Sequence, residues 1–154
     1  MIVSYLATDG GENLKIFSSI VVPPEDLTLF KNIEKIIEAM PEVYLGKDEK
    51  GEKVLVSCHM ICRVLSRFFS VRYKDGYFGS FNKHSWLVTQ NSLIIDPCPV
   101  AVVGGPILIE MRYVTPWRNL YREASFPELN SPNFRKNVDK VFEALRQTIK
   151  NLNM

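Results

Sequence analysis

Cys58, His84 and Asp96 are the residues of this chain whose types and settings could together carry out covalent chemistry. A cysteine supplies a nucleophilic sulfur, and an imidazole can take and return a proton. A carboxylate can hold that imidazole in one tautomer and orientation. Cys58 follows Ser57, a good helix cap, so it should fall in the first turn of the helix that Ser57 opens. There the unpaired backbone N–H groups and the positive end of the helix dipole favour a thiolate, and the same N–H groups can face a developing oxyanion. His84 opens a strand-like run, "HSWLV", and Asp96 closes the next, "LIIDP".

Loop length decides whether the two can meet. A two-residue loop at Gln90-Asn91 would put Asp96 on the face opposite His84. A three-residue loop, Thr89-Gln90-Asn91, pairs Val88 with Ser92, Trp86 with Ile94 and His84 with Asp96. Such loops end on a left-handed residue, a conformation that Asn tolerates. Directly opposed residues have Cβ atoms ~4.5–5.5 Å apart, within reach for a carboxylate to hold an imidazole N–H.

The remaining candidates have plainer readings beside the chemical one. His59 neighbours Cys58, and adjacent residues on a helix do not face each other, so it is expected as a partly exposed residue and a poor base. Cys62 lies one turn into the helix and should pack, whereas Cys98 sits between two prolines close to the hairpin end. Trp86 shares the strand face of His84 and either walls a substrate groove or fills the core. Gly104 and Gly105 either let a backbone approach the substrate or simply make the turn before Pro106. Cys58, Cys62, His84 and Cys98 together have ligand types that suit zinc, but the Cys-x₃-Cys spacing lacks the short knuckle of common zinc sites. The reading therefore includes no metal and no cofactor.

These residues need a scaffold, and the hydrophobic pattern supplies its outline. Residues 2–7 and 14–22 read as strands around the turn "TDGGEN". Leu29, Ile33, Ile36, Ile37 and Met40 recur at helical spacing over 25–40. After the polar loop "GKDEKGEK", Ile61, Val64, Leu65 and Phe68 mark a second helix running to about residue 69. Short strands follow at 71–73, 77–78, 84–88, 93–96 and 107–114. "TPWRNLYREA" suggests a short helix capped by Thr115. A last helix, from Ser131-Pro132 to about residue 152, carries Phe134, Val138, Val141, Phe142, Leu145 and Ile149. Adjacent strands joined by short turns predict an α+β domain with a mainly antiparallel sheet, spanning residues 1–154.

The balance of 46% hydrophobic and 23% charged residues is that of a globular chain. A formal net charge of +2, with the basic groups at 47–53 and 135–140 interleaved with other residues, predicts no nucleic-acid partner. The first residues have no basic segment leading into an apolar run, and no stretch approaches the ~18 apolar residues of a membrane span. Three cysteines without a framework spacing favour free thiols in a reducing, cytoplasmic setting, with a disulfide between two of them as the alternative.

A helix-start cysteine, then "HSW" opening a strand, then "IIDP" ending the next, resembles the Cys-His-Asp core of the transglutaminase-like and papain-like cysteine enzymes. The resemblance covers residues 54–110. It implies Cys58 as nucleophile, His84 as general base and acid, and Asp96 as orienting group, with a helix packed on an antiparallel sheet. It also implies a peptide or amide substrate attacked through a thioester. The chain departs from that pattern at His59, where the family has tryptophan, and its only glutamines are Gln90 and Gln147, so no upstream glutamine supplies an oxyanion donor. The approach "VLVSC" also lacks the Arg-Gly-Gly-x-Cys of arylamine N-acetyltransferases. A non-catalytic binding or assembly module on the same fold is the alternative reading.

Overall fold

The computed structural model describes residues 4–6, 12–18, 20–100, 105–110 and 118–154. Its sheet runs in the order β1 (Ser4–Leu6), β2 (Glu12–Phe17), β6 (Ile107–Glu110), β5 (Leu93–Asp96), β4 (Asn82–Thr89), β3 (Val71–Phe78) and β7 (Tyr121–Glu123). All neighbours pair antiparallel except β2 and β6, which are parallel. Among the described residues three α-helices, α1 (Pro24–Ala39), α2 (Cys58–Phe68) and α3 (Pro132–Asn151), join the sheet in an α+β architecture. None of the described helices is long and apolar enough to cross a membrane.

Local chemistry explains most of the boundaries. Ser18 ends β2 by bonding through its hydroxyl to both the N–H and the carbonyl of Ile20. Pro23 and Pro24 then open α1, where the missing proline N–H groups leave no helical bond unmade. Ser57 and Ser131 cap α2 and α3 by accepting from the N–H groups of Met60 and Phe134.

The apolar faces of the helices meet on one side of the sheet. Phe30, Ile33 and Ile36 of α1, Ile61, Val64 and Leu65 of α2, and Val141 and Leu145 of α3 join Ile16, Leu87, Ile95 and Leu108 of the strands. Each such side chain contributes roughly 1.5–3 kcal/mol when taken fully out of water. Because strand residues alternate, the other face gathers Phe17, Trp86, Val88, Ile94, Ile107 and Ile109.

Four expectations change. Residues 71–78 form one strand, because β3 is paired along its whole length with β4. In the stretch expected as a helix from Thr115, Arg118–Leu120 forms a 3₁₀ turn and Tyr121–Glu123 forms β7 on the edge of β3; residues 115–117 lie outside the described residues. The strand expected to run to residue 22 stops at Phe17. The β4–β5 hairpin pairs Leu87 with Ile95 and Val88 with Ile94, two residues away from the expected register. Thr89 accounts for that shift. Its buried hydroxyl accepts from the N–H of Leu93 and donates to Asp26 of α1, which holds Thr89 at the strand end. The loop therefore falls on residues 90–92, and Ser92 rather than Asn91 takes the left-handed conformation, with φ of 65°.

Candidate active site

Cys58 enters at the first turn of α2, as the Ser57 cap requires. His84 lies near the start of β4 and Asp96 at the end of β5, and strand alternation sets both on the same face. The shift of two residues preserves that parity. It replaces the expected direct opposition with a diagonal contact, which an imidazole is long enough to span. His84 Nε2 lies 2.7 Å from Asp96 Oδ2, and His84 Nδ1 lies 3.5 Å from Cys58 Sγ.

Asp96 is fully buried, and three donors surround it. His84 Nε2–H and the Tyr121 hydroxyl, at 2.6 Å, both donate to Oδ2, while the Cys98 N–H donates to Oδ1 at 3.1 Å. Burying polar oxygens without partners carries a large desolvation cost, which these three donors offset. Burial by itself pulls the His84 pKa down. The hydrogen bonds to Asp96 and Cys58, with the negative charge on both, outweigh it and carry the value up to about 9. The ring is therefore an imidazolium at neutral pH, donating from both nitrogens.

Linkage gives this a measurable sign. Between pH ~6.5, where an unfolded histidine titrates, and about 9, the folded chain holds a proton at His84 that the unfolded chain has released. Stability from this group is fully present below that window and lost as pH rises through it. Wild type should therefore lose more stability between pH 6.5 and 9 than His84→Gln does, as read from urea midpoints. Parallel pH profiles would contradict a protonated His84.

Tyr121 was not foreseen from the sequence. It stands on a three-residue strand 25 positions from Asp96, and no local pattern marks it. Burial, then the negative charge of Asp96, raises its pKa well above the ordinary phenol value, so it stays a donor. Its ring meets Phe78 and Trp86 edge-on. Comparison of the chain with protein-family models, curated proteins and solved structures finds no match. What the arrangement can do rests on its own geometry.

The other sequence candidates divide clearly. Cys62 is fully buried, and burial pushes its thiol pKa well up; Cys98 is pushed up to about 12 by burial and by the negative charges of Cys58 and Asp96. All three cysteines are free thiols. Trp86 is 3% exposed, with its ring centroid 6.3 Å from that of His84, so it packs against the imidazole and has little surface to offer a ligand. Gly105, with φ of 106°, sits two residues before Ile107, the register partner of Asp96; Gly104 lies outside the described residues. His59 is partly exposed, as expected, with 14% of its side chain accessible, and its Nδ1 lies 2.5 Å from Ser85 Oγ, a contact the sequence did not indicate. Among the described residues no group of three or more His, Cys, Asp or Glu side chains is arranged to hold a metal ion. A cleft of about 670 Å³ lies between residues 45–54 and α3. It contains lysines, acids and asparagines, and includes none of Cys58, His84 and Asp96.

Proposed function

We propose that this chain is a cysteine-dependent hydrolase or acyl transferase of the transglutaminase-like or papain-like kind, acting on an amide, peptide or isopeptide bond. The observation that carries the reading is the continuous contact from Cys58 Sγ through both nitrogens of His84 to Asp96. In this reaction the Cys58 thiolate attacks the carbonyl carbon, and the first turn of α2 faces the oxyanion. As the carbon–nitrogen bond breaks, His84 Nδ1–H protonates the departing amine and a thioester remains. His84, now neutral, removes a proton from water or an acceptor amine, which attacks the thioester and releases Cys58. Asp96 holds the ring throughout and stabilises its charge. Free thiols accord with a cytoplasmic setting.

Iodoacetamide tests the reading without knowledge of the substrate. Cys58 is partly exposed and next to an imidazolium, whereas Cys62 is fully buried and the Cys98 thiol pKa is high. Cys58 should be alkylated at least about tenfold faster than either at pH 7, since only the thiolate reacts, and His84→Ala should slow it. Equal labelling of all three thiols would sink the proposal.

A binding or assembly module is the second reading, favoured by the deep burial of His84 and Asp96 and by clefts that lie away from Cys58. On that reading Cys58→Ala leaves biological function intact.

A further inference from the structure

The residues that follow the nucleophile and the base are also bonded to each other. Cys58 meets His84 while His59 meets Ser85, two successive contacts between α2 and β4. Side chains alternate along a strand, so these contacts engage opposite faces of β4. A single contact would leave the helix start free to pivot about it; two fix its rotation.

Behind Ser85 the bonding continues. Its hydroxyl donates to Asp75 Oδ1 at 2.6 Å, and Arg63 grips the same carboxylate through both nitrogens, at 2.9 and 2.6 Å. Arg63 also donates to the backbone carbonyl of His59 at 3.1 Å, which returns the chain of bonds to the first turn of α2. The proton inventory leaves little choice. Burial pushes the Asp75 pKa up, but hydrogen bonds from Arg63 and Ser85 and the Arg63 charge bring it below the usual carboxylate value, so Asp75 only accepts. Ser85 commits its one proton to Asp75, so its oxygen must accept from His59 Nδ1–H. His59 stays neutral because burial outweighs the pull of Asp75.

We propose that Arg63, Asp75, Ser85 and His59 form a positioning unit that sets the Cys58–His84 separation, with the Ser85 hydroxyl as its link. None of the four needs to touch the substrate. The unit acts by holding the helix start in register with β4. Charged and titratable groups around His59 are Arg63 on α2, Asp75 on β3, His84 on β4 and Glu128 in the 3₁₀ turn Pro127–Asn130. The inference rests on the thiol reading of the site.

Alkylation of Cys58 by iodoacetamide, followed from pH 5 to 10, tests it on the full chain. Ser85→Ala should lower the neutral-pH rate about tenfold and move the midpoint of the pH–rate curve, because the Cys58–His84 pair is no longer held. His59→Asn, whose side-chain amide can place an N–H where Nδ1–H stood, should stay within about threefold of wild type, and His59→Phe should behave like Ser85→Ala. A purely structural role would lower thermal stability in all three variants and leave the midpoint in place. Wild-type rate and midpoint in Ser85→Ala, or equal losses in His59→Asn and His59→Phe, overturn the proposal. His84→Ala serves as the control. If it leaves the rate unchanged, the thiol reading itself fails; if it slows the rate while Ser85→Ala does not, only the positioning unit fails.

Discussion

Asp96→Asn should slow alkylation of Cys58 about a hundredfold and destabilise the chain, although it changes a single atom. The wild-type carboxylate accepts on both oxygens, from His84 and Tyr121 on one side and from the Cys98 N–H on the other. An asparagine has only one acceptor oxygen. Turned toward His84 and Tyr121, it aims its NH₂ at the Cys98 N–H; turned the other way, it aims NH₂ at two donors. Either orientation puts donor against donor in a site with no exposure. An unsatisfied buried polar group costs ~1–3 kcal/mol, and more where a charged partner is stranded. His84 would lose the negative charge that helps keep it protonated, and with it, on the proposed mechanism, the proton for the departing amine. In another enzyme class the equivalent change lowers turnover by about 10⁴. Rates of iodoacetamide labelling and urea midpoints check both parts, and a variant that keeps wild-type thiol reactivity would remove Asp96 from the site.

Gly76→Ala should lower stability by ~3 kcal/mol and loosen the same site from the opposite direction. Gly76, on β3, is the register partner of His84 on β4 and of Glu123 on β7. A Cβ at that position would lie 1.9 Å from the Arg122 carbonyl oxygen and 2.8 Å from Trp86 Cη2. Backbone cannot swing aside as a side chain can, so β7 must move away from β3. Overpacking of this kind costs ~1–3 kcal/mol and occasionally more; at ~3 kcal/mol the fall in Tm for a chain of this size is about 6–12 °C. Because β7 carries Tyr121, its hydroxyl should leave Asp96, and Cys58 labelling should slow as well. Tyr121→Phe, which removes only the hydroxyl, separates the two effects. An unchanged Tm in Gly76→Ala would contradict the close approach of β7.

Much of the site was legible because its ingredients are local. Ser57 announces the start of α2 through capping chemistry that spans three residues, and the first turn of that helix is where Cys58 lies. The alternation of "HSWLV" and "LIIDP" sets His84 and Asp96 on one face for any register shifted by an even number of residues. The contact therefore survives although the loop falls at 90–92 rather than 89–91. The register itself was not local, since it turns on a bond from Thr89 to Asp26, 63 positions away. "TPWRNLYREA" failed for the same reason. Its cap-and-proline signature is helical, but pairing with the free edge of β3 draws Tyr121–Glu123 into the sheet.

Sequence alone thus determined the α+β class, the approximate spans of α1, α2 and α3, the position of the thiol and the shared face of His84 and Asp96, all of which follow from periodicity and capping over a few residues. Tertiary structure decided the diagonal pairing of His84 with Asp96, the third donor from Tyr121 and the bonding of His59 through Ser85 and Asp75 to Arg63. These depend on side chains from separate elements meeting at hydrogen-bond distance, and no periodicity encodes which of them will meet.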